Sequence, residues 1–123
     1  TDDYSALSHL LSKLGAGNHK LYAGPDAPEI PVIAGSSYWH PALYDIFEPE
    51  YSKGAETFED QLGKELRKAE VDIIVFNIHP AFSRRMSNQF LSRLATEYGH
   101  AAVIGDRFFV LWSEDVAANI PGN

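Results

Sequence analysis

A run of apolar residues from Val71 to Ile78 constrains the fold of this chain more than any other feature. Within the run, only Asp72 near its start and Asn77 near its end are polar. A strand with one face in water alternates apolar and polar side chains, so a run without alternation is typical of a strand covered on both faces. The sequence therefore predicts a central β-strand here. Other parts of the chain must supply neighbouring strands and covering helices.

Three segments have the helical spacing of apolar residues that such covering helices need. One lies near the N-terminus, one spans 56–69, and one follows the central strand. In the second, Gly63 weakens the helix by up to about 1 kcal/mol relative to Ala. In the third, Ser83 or Ser87 is suited to cap the start and Gly99 to end the helix. The apolar stripes are Leu7, Leu10, Leu11 and Leu14; Phe58, Leu62 and Leu66; and Phe90, Leu91, Leu94, Ala95 and Tyr98.

Three shorter segments are predicted as further strands. His19–Ala23 is a short first strand, and Ala101–Ile104 and Phe108–Trp112 are close enough in sequence to form a hairpin. Frequent prolines between 25 and 49 leave room only for short helical turns or edge pieces. The order of elements predicts one α/β domain spanning 1–123, a small three-layer sandwich. Its mostly parallel sheet would have about four strands and an antiparallel C-terminal hairpin.

The composition argues against several classes of protein. A formal net charge of -7 at pH 7 argues against a nucleic-acid partner, because affinity for a polyanion comes mostly from clustered Lys and Arg. The absence of cysteine excludes disulfides and thiolate metal sites. No stretch approaches the ~18 consecutive apolar residues that a membrane-spanning helix needs. Because the chain begins at Thr1 and ends in a linker-like Ile120–Asn123, we expect it to be a fragment of a longer protein.

One candidate site follows from the predicted sheet, since ligands of open α/β sheets bind beyond the carboxyl ends of the strands. Asp26 follows the first strand, and Asn77 and His79 lie at the end of the central strand. Asn77 and His79 are therefore candidates for ligand binding or acid–base chemistry. The structural alternative is that Asn77 hydrogen-bonds its own loop and His79 simply precedes a proline, since most polar residues in such loops satisfy backbone groups.

Two other groups of residues are candidate ligand contacts. Arg84 and Arg85 lie close to the expected start of the third helix, where the helix dipole disfavours cations unless an anion is also present. A phosphate or lipid head group would supply that anion, and the alternative is a solvated pair in a loop. Tyr38, Trp39 and His40 resemble an aromatic platform for sugar rings, and the alternative is packing under a long loop.

The sequence predicts no metal site and no cofactor. Its five histidines have neither i,i+4 nor His-x-His spacing. It also lacks the glycine fingerprint of dinucleotide enzymes, the phosphate-binding loop of NTPases and the nucleophile elbow of serine hydrolases. The common signatures of these enzyme classes therefore give no functional assignment.

Three stretches of the chain are similar to the patterns V-Y-x-G-P-x-x-P-E-I-Y-x-L-x-G, D-V-V-V-x-N-x-x-P-x-F-S and Y-x-x-x-x-x-x-G-x-F-x-V-x. The matching residues are Leu21–Ile30 with Ala34 and Gly35, Asp72–Asn77 with Pro80–Ser83, and Tyr98, Gly105 and Arg107–Trp112. Together they resemble the soluble C-terminal domain of bacterial membrane glycosyltransferases of the GT-C superfamily. These enzymes are relatives of the protein mannosyltransferases and of the aminoarabinose transferase.

The resemblance implies a domain on the extracytoplasmic side of the membrane, in the periplasm or at the cell exterior. It would be tethered to a membrane-embedded part of the same polypeptide. The parent would move a sugar from a polyprenyl-phosphate donor to an acceptor in the cell envelope. The family's catalytic acidic residues lie in loops of the membrane part, so no catalytic residue carries over. Where the family often has a basic residue and Asn after the equivalent of Gly35, this chain has Ser36–His40, a departure that argues against a shared ligand contact there.

The first functional hypothesis is therefore a non-catalytic accessory domain that helps to orient a glycan acceptor or caps the transferase. Its candidate contacts with a glycan or a polyprenyl-phosphate sugar are Tyr38, Trp39, Arg84 and Arg85. The alternative is a free-standing small α/β enzyme or ligand-binding protein with its site at the carboxyl ends of the strands. A third hypothesis is a protein-interaction domain that uses the exposed edge of the final hairpin.

Overall fold

A computed structural model of the chain describes residues 2–24, 58–79 and 86–120. These ranges contain a four-stranded sheet and the helices that pack against it. The helices are α1 (Asp2–Lys13), α2 (Phe58–Lys68), α3 (Asn88–Tyr98) and α4 (Glu114–Ala118), and a 3-10 helix spans Ala16–Asn18. The strands are β1 (Leu21–Gly24), β2 (Ile73–Asn77), β3 (His100–Ile104) and β4 (Phe108–Trp112). The expectations for the proline-rich segment fall outside the described residues.

The sheet has the strand order β1-β2-β4-β3. β1 pairs with β2 in parallel, whereas β4 is antiparallel to both β2 and β3. β1, β2 and β3 therefore run in one direction, but the insertion of β4 between β2 and β3 leaves one parallel pairing among the described strands. The mixed α/β class, the four strands and the hairpin are confirmed. The prediction of a mostly parallel sheet is wrong, because β4 pairs in antiparallel fashion with both of its neighbours.

The burial of the two hairpin strands explains why β4, rather than β3, lies next to β2. Three of the five β4 residues are buried and none is exposed, whereas β3 alternates between half-buried and exposed residues. Val103 in β3 is 61% exposed. Placing the bulky apolar strand in the interior and the strand with small side chains at the edge buries more apolar surface.

β2 is the central strand that the sequence predicts, and all five of its residues are buried. Successive side chains of a strand point to opposite faces, and here they join two separate apolar clusters. Ile73 and Val75 belong to the cluster that contains Leu7 and Leu11 of α1 and Val116 of α4. The second cluster takes Ile74 and Phe76 of β2, Leu62 and Leu66 of α2, and Phe90 and Leu94 of α3.

Both ends of α3 have the capping residues that the sequence indicates. The Ser87 side chain accepts a 3.1 Å hydrogen bond from the amide of Phe90, which satisfies one of the free donors of the first helical turn. Gly99 follows the helix with φ 95°, and its amide donates to the carbonyl of Ala95. A residue without a side chain adopts this left-handed conformation at little cost. These caps fix the position of α3 in the chain and so the position of its polar face.

Candidate functional site

Asn77 ends β2 at the sheet edge where a ligand site is expected. The residue is only 2% exposed, and its side-chain Oδ1 accepts a 3.2 Å hydrogen bond from the amide of His79. An Asn that bonds the backbone two residues further along forms an Asx turn, which shapes the loop after the strand. This geometry agrees with the structural alternative for Asn77. A contact between Asn77 and a ligand stays a prediction.

His79 is exposed, so its ring is accessible at the same edge of the sheet. The remaining sequence-predicted contacts, Tyr38, Trp39, His40, Arg84 and Arg85, lie outside the described residues. Of the seven candidates, the structure therefore places two side by side and leaves the others as predictions.

Arg107 lies beside the end of β2 and was not among the candidate site residues predicted from the sequence. Its carbonyl accepts a 2.7 Å hydrogen bond from the amide of Ile78. The guanidinium carbon lies 4.7 Å from the ring centroid of Tyr4 and 5.5 Å from that of Phe108, and Nη2 donates to the Tyr4 hydroxyl at 3.0 Å. Stacking of this kind is favourable for a guanidinium. Through its contacts with Tyr4, Arg107 therefore links the start of α1 to the hairpin. This role is visible only in the tertiary structure.

A polar cluster at the opposite edge of the sheet holds β1 and β2 together. The Asp72 carboxylate accepts a 3.2 Å hydrogen bond from the amide of Lys20, and the Asp72 amide donates to the Lys20 carbonyl at 2.9 Å. His19 Nδ1 lies 3.7 Å from the same carboxylate, which is too far for a hydrogen bond. The Lys20 ammonium donates to the carbonyl of Ala69 at 3.2 Å. These contacts fix the start of the parallel pair, and they lie at the edge away from the expected ligand site.

Tyr98 joins this cluster from the end of α3. Burial raises the pKa of the Tyr98 hydroxyl well above its ordinary value, and the negative charges of Asp72 and Glu97 raise it further, while Arg67 opposes them. The group therefore stays protonated and donates a hydrogen bond. A phenol held neutral in this way is suited to a structural role in the physiological pH range.

A groove of about 450 Å³ runs between α2 and α3, and we refer to it as the α2–α3 groove. Its floor consists of the buried residues Gly63, Phe90 and Leu94. Its walls carry charges of both signs, from Glu59, Asp60, Lys64, Arg67, Arg93 and Glu97. A volume in the range of about 300–1,000 Å³ is usual for small-molecule sites. This groove was not predicted from the sequence, because its charged residues occur on two separate helices with the spacing of ordinary solvent-facing positions.

Within ranges 2–24, 58–79 and 86–120, no three His, Cys, Asp or Glu side chains lie close enough together to hold a metal ion. Among the helices described there, none has the length and apolar character needed to cross a membrane. Comparisons of the chain with protein-family models, curated proteins and solved structures found no match.

Proposed function

We propose that this chain is a non-catalytic extracytoplasmic domain of a membrane glycosyltransferase that uses a polyprenyl-phosphate sugar. In this role it packs against the membrane-embedded part of the same polypeptide and helps to orient the glycan acceptor. In the proposed domain the sheet is the middle of three layers, with α1 and α4 covering one face and α2 and α3 covering the other. The two separate apolar clusters on either side of β2 support that arrangement.

One observation carries the proposal: the three stretches that resemble the family pattern contribute to three adjacent strands. The first stretch contains β1, the second contains β2 and the third contains β4, and these strands are neighbours in the sheet. Three chance matches to short sequence patterns would not be expected to lie on neighbouring strands of one sheet. Their assembly supports a resemblance to the core of a folded domain.

The contacts of the polar residues in these stretches also support a structural role. Asp72 bonds the backbone of Lys20, Asn77 bonds the backbone of His79, and Tyr98 bonds the backbone of Val71. Side chains that satisfy backbone groups build a scaffold. The resemblance therefore concerns the framework of the domain, and the chemistry is assigned to the membrane part.

The complete reading frame that contains this segment provides the first test. We expect several hydrophobic segments of about 20 residues each ahead of Thr1, each long enough to cross a bilayer. A reading frame close to 123 residues that encodes no such segments would overturn the proposal. That result would favour a free-standing protein with a site at the carboxyl ends of the strands.

The role in acceptor orientation is tested in membranes that contain the parent protein with and without this segment. Transfer of sugar from a polyprenyl-phosphate donor is measured over a range of acceptor concentrations, and the amount of protein in each membrane is determined. We expect deletion to raise the apparent KM for the acceptor more than it lowers kcat, because the domain contributes binding and positioning. A KM unchanged by the deletion contradicts this role.

A further inference from the structure

The α2–α3 groove has an apolar floor and a cation, Arg93, that forms no ion pair with the described residues. Phe90 and Leu94 belong to the buried core beneath α3. The Arg93 side chain lies over Phe90, with its guanidinium carbon 6.0 Å from the centroid of the ring. Six charged side chains surround three buried floor residues in this groove, and polar groups that converge over an apolar base are a feature of small-molecule sites.

Two of the acidic groups in the groove walls are already engaged. Glu59 accepts hydrogen bonds from both the amide and the hydroxyl of Ser87, at the start of α3. Glu97 lies 3.5 Å from Arg67 in an ion pair. In contrast, Arg93 has no carboxylate within ion-pair distance among the described residues. Among the described residues, Arg93 is therefore a cation of the groove without an ion-pair partner.

Gly63 supplies a second, independent observation. It lies in the middle of α2, where Ala would be more favourable in a helix by up to about 1 kcal/mol. Steric exclusion does not explain the glycine: a Cβ at Gly63 would lie 3.5 Å from Nη1 of Arg67 and 3.8 Å from the Phe90 ring, which are ordinary contact distances. A buried helical glycine at a position where Ala fits keeps space open in the groove floor at the expense of helix stability.

We propose that the α2–α3 groove binds a small molecule that carries a carboxylate or phosphate on an apolar or ring-shaped body. Arg93 contacts the anionic group, since a guanidinium forms charge-assisted hydrogen bonds with either anion. The body of the ligand lies over Gly63, Phe90 and Leu94. This inference does not depend on the proposed function, because it concerns only groups within the chain.

The test is an NMR titration of the isotope-labelled chain with three probes of similar shape. Phenyl phosphate and benzoate present the two anions on a ring, and benzyl alcohol presents a ring without charge. We expect saturable amide shifts centred on Gly63 and Arg93 with one or both anions, with a dissociation constant of about 1 mM. The anion that binds more tightly identifies the preferred group. Equal shifts with benzyl alcohol, or no saturable shift at about 20 mM of either anion, overturn the proposal.

Matched substitutions distinguish binding in the groove from a non-specific attraction of anions to the protein's positive charges. Arg93→Gln should weaken anion binding at least about fivefold, because it removes the charge-assisted contact. Lys68→Gln, on the exposed last turn of α2 and outside the groove, removes the same charge and should change binding less than about twofold. A similar loss from both variants means a non-specific charge effect and contradicts the proposal.

Gly63→Ala tests the floor of the groove and does not depend on charge. We expect this variant to have a higher melting temperature than the wild type, because it removes the helix penalty of glycine. We also expect it to bind the anionic probe several-fold more weakly, since the added methyl group occupies the floor. A Gly63→Ala variant that is more stable and binds as tightly as the wild type contradicts the placement of the ligand in the groove.

Discussion

The hydroxyl of Tyr98 at the end of α3 donates a 2.7 Å hydrogen bond to the carbonyl of Val71, two residues before β2. This contact links a covering helix to the approach of the central strand, across a sequence separation of 27 residues. The sequence placed Tyr98 on the apolar face of its helix, and the structure adds a specific acceptor for its polar end. Buried tyrosines usually find such a partner, because an unpaired hydroxyl in the core is costly.

Tyr98→Phe should lower the free energy of unfolding by about 1–2 kcal/mol at neutral pH, since it leaves the Val71 carbonyl without this donor. Urea denaturation monitored by circular dichroism measures the change. Thr96→Ala is the control, because the exposed Thr96 hydroxyl donates to the Ser92 carbonyl of its own helix and has no other hydrogen bond within the described part of the chain. We expect the control to lie within about 0.5 kcal/mol of the wild type. Equal effects of the two substitutions would contradict a specific role for Tyr98.

The raised pKa of Tyr98 also predicts how stability depends on pH. Above the ordinary tyrosine value of about 10, this group loses its proton in the unfolded chain but keeps it in the folded protein. The folded state then binds more protons, so stability falls as pH rises, by up to about 1.4 kcal/mol per pH unit from this group. At pH values below the ordinary tyrosine pKa, the contribution of Tyr98 to the free energy of unfolding is fully present.

Urea denaturation between pH 9 and pH 11 checks this prediction, with pH values chosen to bracket the ordinary tyrosine pKa of about 10. The wild type should lose stability more steeply than Tyr98→Phe across this interval, and the difference between them should shrink as the pH rises. Parallel pH profiles would mean that Tyr98 ionises as readily in the folded protein as in the unfolded chain.

Asn77→Ala should lower the free energy of unfolding by about 1–2 kcal/mol, because the amide of His79 loses its acceptor and a small buried gap is left. Asn77→Ser should recover part of this loss, since a hydroxyl can replace the Asx turn with a weaker ST turn. Denaturant titrations of both variants measure the effect. If Asn77→Ala has the stability of the wild type, the Asx turn contributes little and a binding role for Asn77 gains support.

The sequence was sufficient to predict the elements of the sheet but not the order of its strands. The apolar run at Val71–Ile78 predicted a strand covered on both faces, and β2 has five buried residues there. Likewise, Phe108–Trp112 was predicted with the bounds that β4 has. Periodicity reports how many faces of a strand are covered, but it does not say which strand lies beside it. The insertion of β4 between β2 and β3 therefore required the tertiary structure.

The candidate site was harder to predict, because its groups come from distant parts of the chain. From the sequence, Gly63 was predicted only to weaken its helix, and Arg93 was not among the candidate contacts. Only the packing of α2 against α3 brings Gly63 and Phe90 to the floor of one groove. Arg107 was noted only within the stretch that resembles the family pattern, and its contact with Tyr4 spans 103 residues. Local patterns carry no signal for contacts of this range.

The last prediction concerns Gly105, which lies in the turn of the hairpin between β3 and β4. It has φ 57° at the turn closed by the hydrogen bond from the Arg107 amide to the Ile104 carbonyl, and a left-handed residue there suits a tight hairpin turn. A Cβ at Gly105 would approach the Asp3 carboxylate to 2.6 Å. Because the carboxylate is the end of a rotatable side chain, we expect it to move aside and the backbone strain to dominate.

Gly105→Ala should therefore lower the free energy of unfolding by about 1–2 kcal/mol, the cost of a left-handed residue that carries a side chain. Gly99→Ala is the matched control, since Gly99 has φ 95° with no atom of the described residues within 4 Å of an added Cβ, and it measures backbone strain alone. Asp3→Ala combined with Gly105→Ala completes a double-mutant cycle by denaturant titration. We expect a coupling energy below about 0.5 kcal/mol. A larger coupling would show that Asp3 is held rigidly against the turn and that contact, rather than backbone strain, requires glycine at this position.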